Sequence, residues 1–282
     1  MNATAEPAAP KWADLGVRLL SAAVLIPAVL ADVWVGGIWF NLVVALLGVL
    51  MASEWVTICH GRDQRQFALH AAAAMCGALL PATVGIAGSV AAIFVLWALS
   101  AVLARRTDAN GPAWRYLGVP YVSMPAIALV LLRNDQAYGI AAIIWIMVTV
   151  WSADSLAYFA GRIIGGPRLA PAISPKKTWA GLGGAVAGSA LASTLFGLAA
   201  GLPGLATLAV LAGFLALVEQ GGDLFKSAMK RHYGVKDSGQ LIPGHGGVID
   251  RVDGLVAVAT VAALIGLARG GMEATGFGLL SW

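Results

Sequence analysis

IWFNLVVALLGVLMASEWVT, residues 38–57, carries a single ionisable side chain, Glu54. A helix of about 20 such residues, rising about 1.5 Å each, crosses the roughly 30 Å hydrocarbon core of a bilayer. Comparable apolar runs lie on both sides. Across Gly36-Gly37 is 17–34, and downstream are 67–85, 88–104, 117–132, 137–160, 181–200, 206–218 and 254–267. Glycines at 36–37, 85–88 and 201–204 read as turns between neighbouring spans. The whole chain shares the bias: 59% of its 282 residues are apolar and 11% are charged, against about 25% charged in soluble domains. Mean hydropathy is +0.82. This excludes a disordered chain, a disulfide scaffold and an ordinary soluble globule. A net charge of +4 over this length is also too thin for a nucleic-acid-binding stripe. The expected fold is an all-α, polytopic integral membrane protein of nine transmembrane helices, with residues 1–14 and 270–282 as tails.

The loops orient these spans. With the N-terminus inside, sixteen of the 18 basic residues fall on inner loops and span ends, and only Arg133 and Arg269 fall outside. That asymmetry is the positive-inside signature. It predicts an inside N-terminus and an outside C-terminus, with residues 1–132 forming spans one to five. Residues 133–282 hold spans six to nine, with inner loops at 161–179 and 220–253.

Two inner segments hold most of the chemistry. GDLFKSAMKRHYGVKDSGQLIPGHGGVIDRVDG, residues 222–254, places the turn Gly244-His245-Gly246-Gly247 before an apolar helix. Backbone N–H groups in such a turn, with the positive end of a helix dipole, form an anion-binding nest. Asp250 and Asp253 follow at i,i+3, on one helix face. Carboxylates this close repel unless a cation lies between them. Mg²⁺, which takes one or two carboxylates and keeps places for phosphates, suits the pair. Asp223 supplies a third acid near the end of the eighth span, with Lys226, Lys230, Arg231, Lys236 and Arg251 around it. Acidic metal ligands, cations and a nest together describe a polyphosphate site. Glu219 precedes Asp223 by one turn and is placed to join the acids. Glu54 and Asp32, near span ends, read as solvated.

DSLAYFAGRIIGGPRLAPAISPKKTW, residues 154–179, is the partner segment. Ser174-Pro175 reads as an N-cap followed by proline at the first position of the seventh span. Lys176 and Lys177 would then oppose the macrodipole in the first turn, which suggests a bound anion. Asp154, Tyr158 and Arg162 recur at helical spacing on one face.

The stretch 227–253 resembles the signature of phosphatidate cytidylyltransferases, also called CDP-diacylglycerol synthases. The pattern is Ser-x-x-Lys-Arg, Lys-Asp-x-Gly, Pro-x-His-Gly-Gly and Asp-Arg-x-Asp. Ser227, Lys230, Arg231, Lys236, Asp237, Gly239, Pro243, His245, Gly246, Gly247, Asp250, Arg251 and Asp253 match it. DSLAYFAGRIIG and ISPKKTWAG resemble a second conserved stretch of that family. The chain departs at Ala180, where the family usually has an acid or amide, and at Glu219, where it usually has Ser. The resemblance implies CTP and phosphatidate as substrates, CDP-diacylglycerol and diphosphate as products, and a divalent metal. It also implies a homodimer among membrane lipids, in a bacterial-type inner or plasma membrane, with the site facing the cytoplasm. On the residues and the resemblance together, Asp223, Asp250, Lys230 and Arg251 are assigned to catalysis. Asp223, Asp250 and Asp253 are assigned to Mg²⁺. Ser174, Lys176, Lys177, Arg231, Lys236, Asp237, His245, Gly246 and Gly247 are assigned to substrate binding.

Two other classes were weighed against these residues. A CDP-alcohol phosphotransferase needs a spaced run of aspartates on two helices that this sequence lacks. A transporter or lipid-binding scaffold would place its charges near the midplane on broken helices; here most lie at the inner interface.

Overall fold

The computed structural model of the chain describes residues 11–108, 110–239, 241 and 246–282, with side chains from residue 23 onward. Its helices are α1 Lys11–Val35, α2 Gly37–His60, α3 Gln64–Leu79, α4 Pro81–Thr107, α5 Trp114–Arg133, α6 Gly139–Ile163, α7 Trp179–Ala199, α8 Leu205–His232, α9 Ile249–Gly270 and the short α10 Thr275–Leu280. Each of the nine apolar runs centres on one helix from α1 to α9. Among the described residues, seven of these (α2 and α4–α9) are long and apolar enough to cross a membrane. The 16-residue α3 is too short, and the described apolar part of α1 is Ala23–Val35. The chain is an integral membrane protein of helical architecture.

Four local expectations are corrected. The turn between the third and fourth runs lies at Leu80-Pro81. Proline opens α4, where a missing N–H costs nothing, and Gly85 (φ 71°, ψ 176°) interrupts that helix from within. The eighth run does not end at 218: α8 continues through its charged residues to His232, because they pair with neighbouring elements. Residues 275–280 are a helix, not a tail. Finally, the inner loop expected at 161–179 contains regular structure within the all-α architecture. Strands β1 Arg168–Ala170 and β2 Ser174–Thr178 form an antiparallel hairpin between α6 and α7, with Arg168 opposite Thr178 and Ala170 opposite Ser174.

The core runs through Leu132, Trp145, Ile146, Leu208, Leu215 and Val258, from α5, α6, α8 and α9. Helix association in lipid depends on close approach rather than water exclusion. At Gly184 and Gly188 of α7, an added Cβ would come within 2.4 Å of Ala160 and 2.6 Å of Leu156 on α6. These glycines bring α6 and α7 together.

One end of the bundle is closed by charged side chains bonded to backbone. Arg133 donates from Nε to the Val33 carbonyl at 2.6 Å and from a terminal nitrogen to the Trp34 carbonyl at 3.1 Å. The buried Asp135 accepts from the N–H groups of Ala137, Tyr138 and Phe277 at 2.8–3.0 Å. Arg269 donates to the carbonyls of Gly278 and Ser281 and lies 3.5 Å over the Trp282 ring.

Candidate functional site

The opposite end gathers the polar segments. Ser174-Pro175 does not cap a helix. A residue before proline favours extended backbone, and the chain stays extended through Thr178, whose side chain caps α7 by accepting from Gly181 N–H at 3.0 Å. Lys176 and Lys177 therefore lie on a strand, where successive side chains diverge, and not in the first turn of a helix. Lys176 is exposed. Lys177 turns inward: its Nζ lies 2.7 Å from Asp223 Oδ2 and 2.6 Å from Gln220 Oε1, both on α8. Gln220 in turn donates to Glu219 at 2.6 Å.

The long α8 and the first turn of α9 supply the centre. Lys226 is buried, and its ammonium contacts Asp253 directly, Asp223 at 3.1 Å and Asp250 at 3.6 Å. Lys230 Nζ is 2.5 Å from Asp250 Oδ1, while Asp250 Oδ2 accepts from Ser238 N–H at 2.8 Å. Asp253 Oδ1 accepts from Gly254 N–H. The three aspartates grouped from the sequence thus face one positive point. Among the described residues, no three His, Cys, Asp or Glu side chains are gathered as ligands of a single ion; the point they share is filled by Lys226. Carboxylate oxygens are the donor type that a hard divalent cation takes.

Two openings border this cluster, one at Asp223 and one at Asp253. A polar cleft of about 360 Å³ is lined by Asp154, Tyr158, Arg162, Lys176, Lys177 and Asp223, among others. Arg162 donates to the Tyr158 hydroxyl at 2.7 Å across its wall. An apolar groove of about 410 Å³ lies between α5, α8 and α9, lined by Tyr121, Met124, Phe225, Val256 and, at its polar limit, Asp253.

The start of α9 is held by a residue the sequence assigned to solvent; of the expected nest, Gly244 and His245 lie outside the described residues. Glu54 of α2 is 5% exposed. Its carboxylate accepts from the N–H of Val248 at 2.7 Å and of Ile249 at 2.9 Å, at the start of α9. The negative charge invited by the helix dipole comes from within the chain, and it repels a phosphate from the same N–H groups. Gly247 is needed for this fit, since an added Cβ would lie 2.7 Å from Glu54 Oε2; Gly246, beside it, takes a φ of +83°.

The structure therefore unites Lys177, Asp223, Lys230, Asp250 and Asp253 of the expected set. Arg231 is exposed and reaches the Ile173 carbonyl on the hairpin turn at 3.5 Å. Ser174 is on β2, and Lys236, Asp237 and Arg251 are exposed around the rim. His245 lies outside the described residues. Lys226, named only among the cations around the acids, and Glu54, read as solvated, are the site residues that sequence reasoning left without a role. Lys226 carried a signal, being one helical turn from both Asp223 and Lys230; Glu54 carried only its cost as a charge within a span.

A helical membrane protein with a lysine-bridged aspartate cluster bordered by a polar cleft and an apolar groove has the form of an enzyme acting on an anionic lipid and a phosphorylated solute. Comparison with known proteins gives the family. The model described as "Cytidylyltransferase family" matches residues 16–268. A phosphatidate cytidylyltransferase of Brucella abortus biovar 1 is 40% identical over 255 residues, covering 90% of this chain and 93% of that one. One from Pseudomonas aeruginosa is 36% identical over 265 residues, 90% and 97% of the two chains. One from Bacillus subtilis is 42% identical over a shorter 143 residues. The chain belongs to the cytidylyltransferase family.

Proposed function

We infer that the chain transfers the cytidylyl group of CTP to phosphatidate, giving CDP-diacylglycerol and diphosphate. Family membership supplies the activity, and one structural observation supports its placement: the polar cleft reaches Asp223 and the apolar groove reaches Asp253, two aspartates that share the Lys226 ammonium. The cleft suits CTP, with Lys177 and Lys176 facing its phosphates. The groove suits the acyl chains, and brings the lipid phosphate to the cluster from the membrane side.

A phosphate oxygen of phosphatidate attacks the α-phosphorus of CTP as the α–β bridging bond breaks, and diphosphate leaves. The nucleophile is already anionic at neutral pH, so no strong base is required. The work of the protein is alignment and charge neutralisation. Lys177 and Lys230 hold the reacting phosphates, while Arg231, Lys236 and Arg251 meet the triphosphate at the rim, with Ser174, Asp237 and His245 contributing substrate contacts. Diphosphate departs toward these cations rather than toward the start of α9, where Gly247 makes room for Glu54. Asp223, Asp250 and Asp253 would be the residues that hold Mg²⁺. When bound, the ion neutralises charge on the phosphoryl oxygens. In the same reading the cluster faces the cytoplasm, the N-terminus is inside, the C-terminus is outside and the chain works as a homodimer.

The test is direct. Purified protein in detergent, given phosphatidate, Mg²⁺ and CTP labelled at the α-phosphate, should move the label into an organic-extractable lipid with release of one diphosphate per product. Label remaining in the aqueous phase, with correctly folded protein, would overturn the reading.

A further inference from the structure

Helix α9 starts without a cap of its own: Val248 precedes it and provides no side-chain acceptor. Two of the N–H groups at this helix start would otherwise be buried without partners, which is costly. Their acceptor is Glu54, which lies 194 residues earlier, on α2. Each carboxylate oxygen takes one N–H, a charge-assisted pair aligned with the positive end of the α9 dipole. Around that carboxylate the chain has no side chains to spare. An added Cβ on Gly239 would come 2.8 Å from Oε1, and one on Gly247 would come 2.7 Å from Oε2. Gly239 follows Ser238, whose N–H holds Asp250 Oδ2. Glu54 is thus packed against both backbone segments that fix Asp250: the strap at 238–239 and the first turn of α9.

From this geometry we propose that Glu54 is a positioning residue for the catalytic carboxylates. It clamps the start of α9 to α2 and thereby sets Asp250 and Asp253 against Lys230 and Lys226. The proposal rests on the assignment of those aspartates to the reaction, and the contact itself can be tested without it. Glu54 touches no substrate. Because it is charged, it also reserves the α9 N-terminus from phosphate, leaving the cations of the cleft as the anion-binding groups.

The test uses the full-length protein in detergent and two variants. Glu54→Gln keeps the shape but sets an NH₂ group against a backbone N–H. Glu54→Asp keeps the charge on a shorter arm. In Glu54→Gln, amide hydrogen exchange at Val248 and Ile249 should speed by about tenfold or more, with the other helices protected as in wild type. Per folded molecule, kcat should fall by about tenfold or more and the Mg²⁺ needed for half-maximal rate should rise, with the KM for CTP within about threefold of wild type. Glu54→Asp should recover part of both effects, and serves alone if the glutamine variant does not fold. Faster exchange with unchanged kcat and Mg²⁺ dependence would reduce Glu54 to a structural cap and overturn the proposal. Unchanged exchange at Val248 and Ile249 would overturn it also, by denying the contact. A wild-type protein without transferase activity would instead remove the functional reading, while the exchange result would still report on the clamp.

Discussion

The two ends of this bundle hold charge in opposite ways. At one end Arg133, Asp135 and Arg269 bond to backbone carbonyls and N–H groups of α1, α6 and the α10 segment. At the other, Lys177, Lys226 and Lys230 bond to Asp223, Asp250 and Asp253, ammonium to carboxylate, beside an open cleft. Backbone partners are fixed by the helices themselves, so charges held that way lock geometry. Side-chain ion pairs can exchange a partner for a phosphate or a metal ion at little net cost in charge. Breaking one partner of a buried pair leaves the other uncompensated, which suits a site that waits for charged ligands.

Substitutions at each end put this contrast at risk. The largest expected effect is at Asp250, whose carboxylate meets Lys230, Lys226 and Ser238 N–H. Asp250→Asn keeps the shape and removes the charge. It should lower kcat by about 10³-fold, equivalent to about 4 kcal/mol of transition-state stabilisation, as measured by CDP-diacylglycerol formation per folded molecule. Lys177→Ala comes next. It removes one cation from the cleft wall, and a charged hydrogen bond contributes about 1.5–3 kcal/mol, so kcat/KM for CTP or phosphatidate should fall roughly tenfold to a hundredfold. Unaltered kinetics would mean that Lys177 serves only to pair with Asp223 and orient the span. The smallest effect on catalysis is expected at the opposite end. Asp135→Ala strips three backbone N–H groups of their acceptor. It should lower the thermal transition by several degrees, with turnover per folded molecule within about twofold of wild type.

The same contrast explains how much could be read from the sequence. Apolar runs are local and long, so each pointed to one helix, and the i,i+3 spacing of Asp250 and Asp253 put them on one face as expected. Ser174-Pro175 misled because the dipeptide suits both a helix start and an extended segment; what decides is Thr178, which caps α7 four residues later. Helix α8 outran its apolar stretch because Asp223, Lys226 and Lys230 are paired by β2 and α9, which hydropathy does not register. Glu54 was least legible of all. Its partners are main-chain N–H groups, which every residue but proline carries, so no pattern of side chains announced them.

The contrast can be put to a single side-by-side measurement: kcat for cytidylyl transfer against Mg²⁺ concentration, for wild type, Asp250→Asn and Asp135→Ala, at equal amounts of folded protein in one detergent. The account predicts that Asp135→Ala follows the wild-type curve despite its lower thermal transition, and that Asp250→Asn lies about 10³-fold below it with its metal dependence displaced. An Asp250→Asn curve that overlays wild type would contradict the account, because the aspartate cluster would then be architecture like the charges at the far end.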